Sequence, residues 1–268
     1  MSADLSLLDP SCLRPLISNT IFFAQITHYT SLPSTNTVAM QAAAEGAPEG
    51  SLYIAEQQTA GRGRGGHTWE SPASEGIYCS AVLRPRVGAS ELLSLTLVGG
   101  LAVRDGIRSA AHAQCDLRWP NDVLLNQRKV CGVLAEAAPD AGGGHYVVLG
   151  IGVNVNQGGF PGALSGEATS LYRETGSVWP RAELLAEILL SLDRRYLAFR
   201  AGAGAADICR EFETASSYAR GRHVRVDEQG GYEGVTEGLD PQGFLLVRTS
   251  AGLRRVLSGG VRAIAPRP

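Results

Sequence analysis

The spacing of apolar residues divides the chain into alternating helices and strands, and its character changes near residue 218. Positions before Ser34 fit a short helix and a strand. Ser34, Thr35 and Asn36 then offer N-cap side chains for a helix through Val38, Ala42 and Ala43, with Gly46 as its stop. Residues 51–57 alternate as a strand, 61–66 are too glycine-rich for regular structure, and 77–83 read as a second strand. Leu92, Leu95, Leu101 and Ile107 predict a helix over 90–111 despite Gly99 and Gly100. A strand entering at Leu117 passes through Trp119-Pro120-Asn121-Asp122 to Leu125, turns at Asn126-Gln127 and resumes over 130–136. Residues 145–156 form an apolar strand, and Leu184, Leu185, Ile188, Leu189, Leu192 and Tyr196 mark a long amphipathic helix.

From about 218 the runs become short and alternating: Val224 with Val226, then 232–235, 244–247 and 254–257. Gln229-Gly230-Gly231, Asp240-Pro241-Gln242-Gly243 and Ser250-Ala251-Gly252 separate them as hairpin turns. The pattern predicts an α+β domain over residues 1–217 and a small β-barrel of SH3-like size over 218–268.

Composition narrows the function classes. Hydrophobic residues at 44% and charged residues at 19% suit a globular protein, and a net charge of −2 leaves no global basic field for bulk nucleic-acid binding. The five cysteines, at 12, 79, 115, 131 and 209, have neither metal-ligand nor disulfide-framework spacing and suit reduced thiols in the cytoplasm. Neither a signal peptide nor an apolar run long enough to span a membrane is evident.

Four segments carry candidate chemistry. In Gln58-Thr59-Ala60-Gly61-Arg62-Gly63-Arg64-Gly65-Gly66-His67-Thr68-Trp69, glycine lets backbone approach a ligand and arginine supplies forks for carboxylate or phosphate. No Gly-Lys-Ser/Thr follows, so it is not a Walker A loop. Alone, the stretch is equally a surface loop or an RGG-like nucleic-acid contact; its place between two predicted strands of a neutral domain favours a binding loop. Arg118-Trp119-Pro120-Asn121-Asp122 would set Arg118 at a strand end with Asp122 near enough to orient it or hold a metal, although Pro-Asn-Asp is also ordinary turn chemistry. Gly150-Ile151-Gly152-Val153-Asn154-Val155-Asn156 offers bare strand backbone for a nucleoside, with Asn154 and Asn156 on one face; a strand ending in polar residues reads the same. Ser34-Thr35-Asn36 is the fourth segment, where helix capping is the default. The five histidines show no ligand spacing, and no Ser-His-Asp or Cys-His arrangement is supported.

In this order and at these separations the segments, with Gly132-Val133-Leu134-Ala135-Glu136, resemble the biotin protein ligase family. The resemblance covers nearly the whole chain from Ser34, and it implies a class II aminoacyl-tRNA synthetase/biotin ligase-like catalytic domain with a central mixed β-sheet, followed by an SH3-like β-barrel. It implies an enzyme that, with ATP and Mg²⁺, makes biotinyl-5′-AMP and then transfers the biotinyl group to a lysine of a biotin carboxyl carrier domain. Biotin's urea must be fully hydrogen-bonded in its pocket. By resemblance biotin meets Ser34, Thr35, Asn36 and Gln58, the strap residues Gly61, Arg62, Gly63 and Arg64, and Arg118, Gly132, Gly150 and Gly152. The adenylate meets Arg62, Arg64, Gly66, Trp69, Arg118, Asn121, Asp122 and Asn154, with Trp69 helping to cover the adenine. Arg62, Arg64 and Arg118 are the implied catalytic cations, relieving repulsion between carboxylate and phosphate. The residues that hold Mg²⁺ are not implied.

Two departures concern charge. The family's lysine before Trp-Pro-Asn-Asp is Arg118 here, and the second arginine of Arg-Arg-Gly is Gly65, with His67 at the following basic position. The strap is thus less cationic and more flexible, while the retained Arg62 and Arg64 predict retained activity. Fewer than 35 residues precede Ser34, too few for the DNA-binding domain of some members, so DNA is not an expected partner, and without a long apolar run neither is a membrane. A homodimer through a sheet edge stays open. The rivals are a biotin or adenylate sensor, an anion-binding module, and a lipoate or octanoate transferase, which would lack the Gly-Arg-Gly-Arg strap. Deleting residues 218–268 is expected to weaken transfer more than adenylate formation.

Overall fold

In a computed structural model the described residues are 8–85, 92–140, 143–162, 164–202, 204–228 and 230–264. The chain opens with α1 (Pro10–Leu16), β1 (Ile26–Tyr29), α2 (Thr35–Ala44) and β2 (Leu52–Ala55). A single 3₁₀ turn over Arg64–Gly66 leads to β3 (Gly76–Leu83) and α3 (Leu92–Ala111). Three hairpin-linked strands follow, β4 (Asp116–Arg118), β5 (Asp122–Leu125) and β6 (Arg128–Pro139), and then β7 (His145–Asn154). Helices α4 (Leu164–Glu167), α5 (Leu171–Thr175), α6 (Arg181–Arg200) and α7 (Ala205–Thr214) precede β8 (Arg220–Val226), β9 (Tyr232–Leu239), β10 (Leu245–Thr249), β11 (Gly252–Arg255) and β12 (Val261–Ala263).

The first seven strands form one mixed sheet in the order β1-β2-β3-β7-β6-β5-β4, parallel only between β1 and β2. Because strand side chains alternate, β3, β6 and β7 present two different faces. One face buries Ile77, Val133, Leu149 and Ile151 in the core shared with α3 and α6. The other carries Val82 and Val148 against Ala39 and Ala43 of α2, and Gly132, Gly150 and Gly152 fall on the same side.

Two of the three glycines inside α3 are explained by packing. A Cβ at Gly99 would lie 2.9 Å from Val133 Cγ1, and one at Gly106 would lie 2.7 Å from the Ile188 backbone nitrogen. Close approach to the sheet and to α6 outweighs the helix propensity lost at these two positions. Arg181, at the start of α6, is fully buried, donating from Nη2 to Glu56 (2.7 Å) and from Nη1 to the Gly76 carbonyl (2.9 Å).

The last five strands form an antiparallel sheet, β11-β10-β9-β8-β12. It is joined to the larger unit by Trp119 Nε1, which donates to the Gly243 carbonyl at 2.8 Å, and by Arg64 Nη1, which donates to the Gly259 carbonyl at 2.9 Å.

Several boundaries depart from the sequence reading. Within 117–125, β4 ends at Arg118 as expected, and β5 opens already at Asp122, which pairs with Arg118 across a tight hairpin. β6 is longer than expected, because its partner β7 continues the ladder to Pro139. β7 stops at Asn154, so Asn156 lies beyond the strand and bonds Trp179 instead. Residues 90 and 91 of the expected helix and Gln229 of the expected turn lie outside the described residues.

Candidate functional site

The three glycines of the α2 face leave the sheet bare, and a pocket forms above them. Ser34, Thr35 and Asn36 at the start of α2 make one wall, and Gln58, Arg62, Gly63, Arg64 and Trp69 of the strap make another. Asn121, Lys129, Gly132, Leu134, Gly150 and Gly152 complete it. The glycines are required by what lies against them. A Cβ at Gly150 would sit 2.1 Å from Asn36 Oδ1, one at Gly152 would sit 2.6 Å from the Trp69 indole, and one at Gly61 would meet the Trp69 carbonyl at 2.3 Å.

One wall is a hydrogen-bonded chain. Gln58 Oε1 accepts from the Thr35 amide (2.8 Å) and the Thr35 hydroxyl (3.2 Å), while Gln58 Nε2 donates to Ser71 Oγ (2.9 Å). Ser80 Oγ lies 2.8 Å from Thr35 Oγ1 and 2.6 Å from Asn36 Oδ1, and its single proton serves one of them at a time. Asn36 Nδ2 donates to Glu136 (2.9 Å), whose other oxygen accepts from Arg62 Nη2 at 2.6 Å. Ser34 is the N-cap residue by position, yet its side chain makes no capping bond.

The opposite side is cationic. Asp122 is clamped by Arg118, whose Nε and Nη2 both reach Oδ2 (3.1 and 2.6 Å), and by Lys129, whose Nζ lies 2.5 Å from Oδ1. Burial pushes the Asp122 carboxyl up, but the Lys129 and Arg118 charges outweigh it and hold the group below its ordinary value of 3.8. Lys129 also sits 5.3 Å above the centroid of the Trp69 ring. Arg64 stacks 5.6 Å from the Trp119 ring centroid, and burial lowers its guanidinium pKa against the opposing charges of Asp122 and Glu228. Four cations (Arg62, Arg64, Arg118 and Lys129) meet three carboxylates (Asp122, Glu136 and, acting on Arg64, Glu228), which leaves surplus positive charge beside the pocket.

The structure thus brings together Ser34, Thr35, Asn36, Gln58, Arg62, Gly63, Arg64, Trp69, Asn121, Gly132, Gly150 and Gly152. It leaves Gly61, Gly66, Arg118, Asp122 and Asn154 outside that lining. Arg118 is turned to Asp122, and Asn154 is buried with Nδ2 donating to the Thr169 carbonyl at 3.0 Å. The Trp69 indole lies across Gly132 and Gly152, and its buried Nε1 has no acceptor. Lys129 was missed: a lone lysine beside a hairpin turn looks like a surface residue. Strand alternation would place it with Cys131 and Val133 on the core side, but a register shift between β5 and β6 turns it to the Gly132 side, which sequence alone does not fix. At the departure from the family strap, Gly65 has φ +68°, a left-handed conformation that suits glycine better than arginine.

Among the described residues no group of three His, Cys, Asp or Glu side chains could hold a metal. Asp122 and Glu136, the two carboxylates near the pocket, are both committed to cations. The donor set therefore does not fit a divalent ion held by the protein alone. No helix among the described residues is long and apolar enough to cross a membrane.

The Biotin/lipoate A/B protein ligase family matches residues 29–154, and the Biotin protein ligase C terminal domain matches residues 221–261. The Bacillus subtilis "Bifunctional ligase/repressor BirA" is 34% identical over 259 residues, covering 95% of this chain and 78% of that protein. The chain belongs to the biotin protein ligase family. A Mycobacterium tuberculosis "Biotin--[acetyl-CoA-carboxylase] ligase" is 35% identical over 263 residues, 94% of each chain. The solved biotin protein ligase from Aquifex aeolicus in complex with biotin and ATP superposes with a TM-score of 0.78 at 31% identity, over 90% of this chain and 98% of that one. The α+β class and the mixed sheet are those expected, and a five-stranded antiparallel sheet, matching the Biotin protein ligase C terminal domain, stands where the small SH3-like β-barrel was expected.

Proposed function

We propose that this protein activates biotin with ATP as biotinyl-5′-AMP and transfers the biotinyl group to a lysine of a biotin carboxyl carrier domain. The observation that carries the reading is the mixed lining of the pocket: the neutral hydrogen-bonding groups of Thr35 and Gln58 share it with the cations Arg62, Arg64 and Lys129. A ligand with a neutral polar head and an anionic tail is what such a site accommodates.

In the first step a carboxylate oxygen of biotin attacks the α-phosphorus of ATP. The new O–P bond forms as the bond to the β-phosphate oxygen breaks, and pyrophosphate leaves. Both reactants are anions, so pre-set cations lower the barrier as they meet. Arg62, Arg64 and Lys129 supply that charge at the pocket, while Arg118 acts on Asp122 and so holds Lys129. The orphaned Trp69 Nε1 offers a further donor to the adenylate. In the second step a neutral lysine amine attacks the acyl carbon, the bond to AMP breaks, and the amine gives up a proton.

Mg²⁺ enters in this reading as the counter-ion of the nucleotide substrate. Ser34, Asn36, Gly63 and the three floor glycines shape the biotin subsite, and Asn121 stands at its adenylate end. Residues 1–217 form the catalytic unit and 218–268 the accessory one, acting in the cytoplasm.

The test is incubation of the protein with biotin, MgATP and a purified carrier domain, read by intact mass. A gain of one biotinyl group, absent when the acceptor lysine is changed to arginine, supports the proposal. An unmodified carrier beside ATP consumed with biotin would confine the function to activation.

A further inference from the structure

Arg64 is the strap residue whose fixed position has the least local explanation. It follows Gly63 and precedes two glycines with positive φ, so its own segment has little stiffness. What holds it comes from elsewhere in the chain. Its Nη1 donates to the Gly259 carbonyl at 2.9 Å, and its guanidinium stacks 5.6 Å from the Trp119 ring centroid.

Both of those partners are themselves fixed by the C-terminal unit. Trp119 is buried, and its Nε1 donates to the Gly243 carbonyl at 2.8 Å. The Gly259 carbonyl is aimed by a carboxylate. Glu228, buried at 8% exposure, accepts from the Leu257 amide (3.0 Å), the Ser258 amide (2.9 Å) and the Ser258 hydroxyl (3.2 Å) on a single oxygen, Oε1. Gly259 itself has φ +85°, and a Cβ there would meet the Asp227 carbonyl at 2.3 Å, so this backbone shape excludes a side chain. The negative charge of Glu228 also acts favourably on Arg64.

We infer that Glu228 is a positioning residue for the pocket: it holds the 257–259 loop so that the Gly259 carbonyl, with Trp119, presents Arg64 to the anionic part of the substrate. The inference rests on the adenylation reading above and deepens it, because it gives the C-terminal unit a part in biotin activation and not only in meeting the carrier. This revises the expectation that its loss would weaken chiefly transfer. Loss of the unit would free Arg64 and uncover Trp119, so both steps would fall.

The test uses the full chain and a double-mutant cycle, read by biotin-dependent exchange of labelled pyrophosphate into ATP. Glu228→Ala is expected to lower kcat for exchange about 10-fold while the affinity for biotin alone changes less than about 2-fold. Glu228→Gln keeps an oxygen at the acceptor position and is expected to restore most of that loss. In the Arg64→Ala background, Glu228→Ala is expected to cost nothing further, since the route from Glu228 to the pocket through Arg64 has been removed. An undiminished effect of Glu228→Ala in that background, or an equal fall in biotin affinity, would overturn the inference and make Glu228 a merely structural residue. Absence of exchange in the wild-type chain would refute the adenylation reading instead. In that case the indole N–H resonance of Trp119 still decides: Glu228→Ala must shift it if the loop, Arg64 and Trp119 are linked, and an unmoved resonance overturns the linkage.

Discussion

Replacing Gly150 by alanine is the smallest change that tests how the pocket wall is held. The new methyl would be placed 2.1 Å from Asn36 Oδ1 and 2.8 Å from Asn36 Cγ, well inside contact distance. Asn36 cannot turn aside cheaply, because it is buried, donates to Glu136 at 2.9 Å and lies 2.6 Å from Ser80 Oγ. Moving it breaks one bond to a charged group and one neutral bond, which together are worth about 2–4 kcal/mol. For a chain of this size that loss lowers Tm by roughly 5–15 °C. Thr35 neighbours Asn36 in the same wall, so the affinity for biotin should fall as well. Thermal denaturation and calorimetric titration with biotin measure both effects. The double variant Gly150→Ala, Asn36→Ala should be less damaged than the sum of the singles, because the clash disappears with the amide. A Gly150→Ala protein that melts and binds like the wild type would refute the claim that Asn36 is pinned against a bare sheet.

Further predictions concern charge. Breaking the buried Glu56–Arg181 pair by Arg181→Met leaves a carboxylate, 3% exposed, with fewer partners and should cost about 3–5 kcal/mol in urea denaturation. The exposed Arg62–Glu136 pair should differ: Arg62→Ala should change stability by less than about 1 kcal/mol while sharply reducing turnover. Lys129→Met should lower the exchange rate about 100-fold, and Arg118→Met should cost less, because Lys129 remains in the pocket; the reverse order would contradict the placement of the two cations. Asp122 has a folded-state pKa below its ordinary value of 3.8, so its contribution is complete above that value and is lost as pH falls through the lower, folded value. The stability gap between wild type and Asp122→Asn should therefore be full near neutral pH and narrow as the pH falls below 3.8. A gap that stays constant on acidification would show that the clamp does not stabilise the fold.

The long helices were legible because their apolar residues repeat at helical spacing, and the central strands because they are buried on both faces. Leu95 and Leu101 of α3, and Leu185 to Leu192 of α6, repeat at helical spacing, and the β3 and β7 runs are continuous and apolar. The short helices α4, α5 and α7 were not legible, since four to ten residues give too few turns for a period to stand out. The strap and the Trp-Pro-Asn-Asp hairpin were readable as chemistry, because glycine beside arginine and proline before Asn-Asp restrict what the backbone can do. Which side chains then face the pocket was not readable. Arg118 and Lys129 compete for one carboxylate, and only the hairpin register, with Asp122 opposite both Arg118 and Gly132, decides which of them borders the pocket. Glu56 and Arg181 lie 125 positions apart, and no local pattern announces a pair formed by packing α6 on the sheet.

The central claim is that the pocket activates biotin. Its most direct test is exchange of labelled pyrophosphate into ATP by the purified protein with Mg²⁺. The account predicts exchange that requires biotin, is not supported by octanoate or lipoate, and is strongly reduced but still measurable in Arg64→Ala. Exchange that is absent with biotin in protein shown to be folded, or that proceeds equally with octanoate, would contradict it.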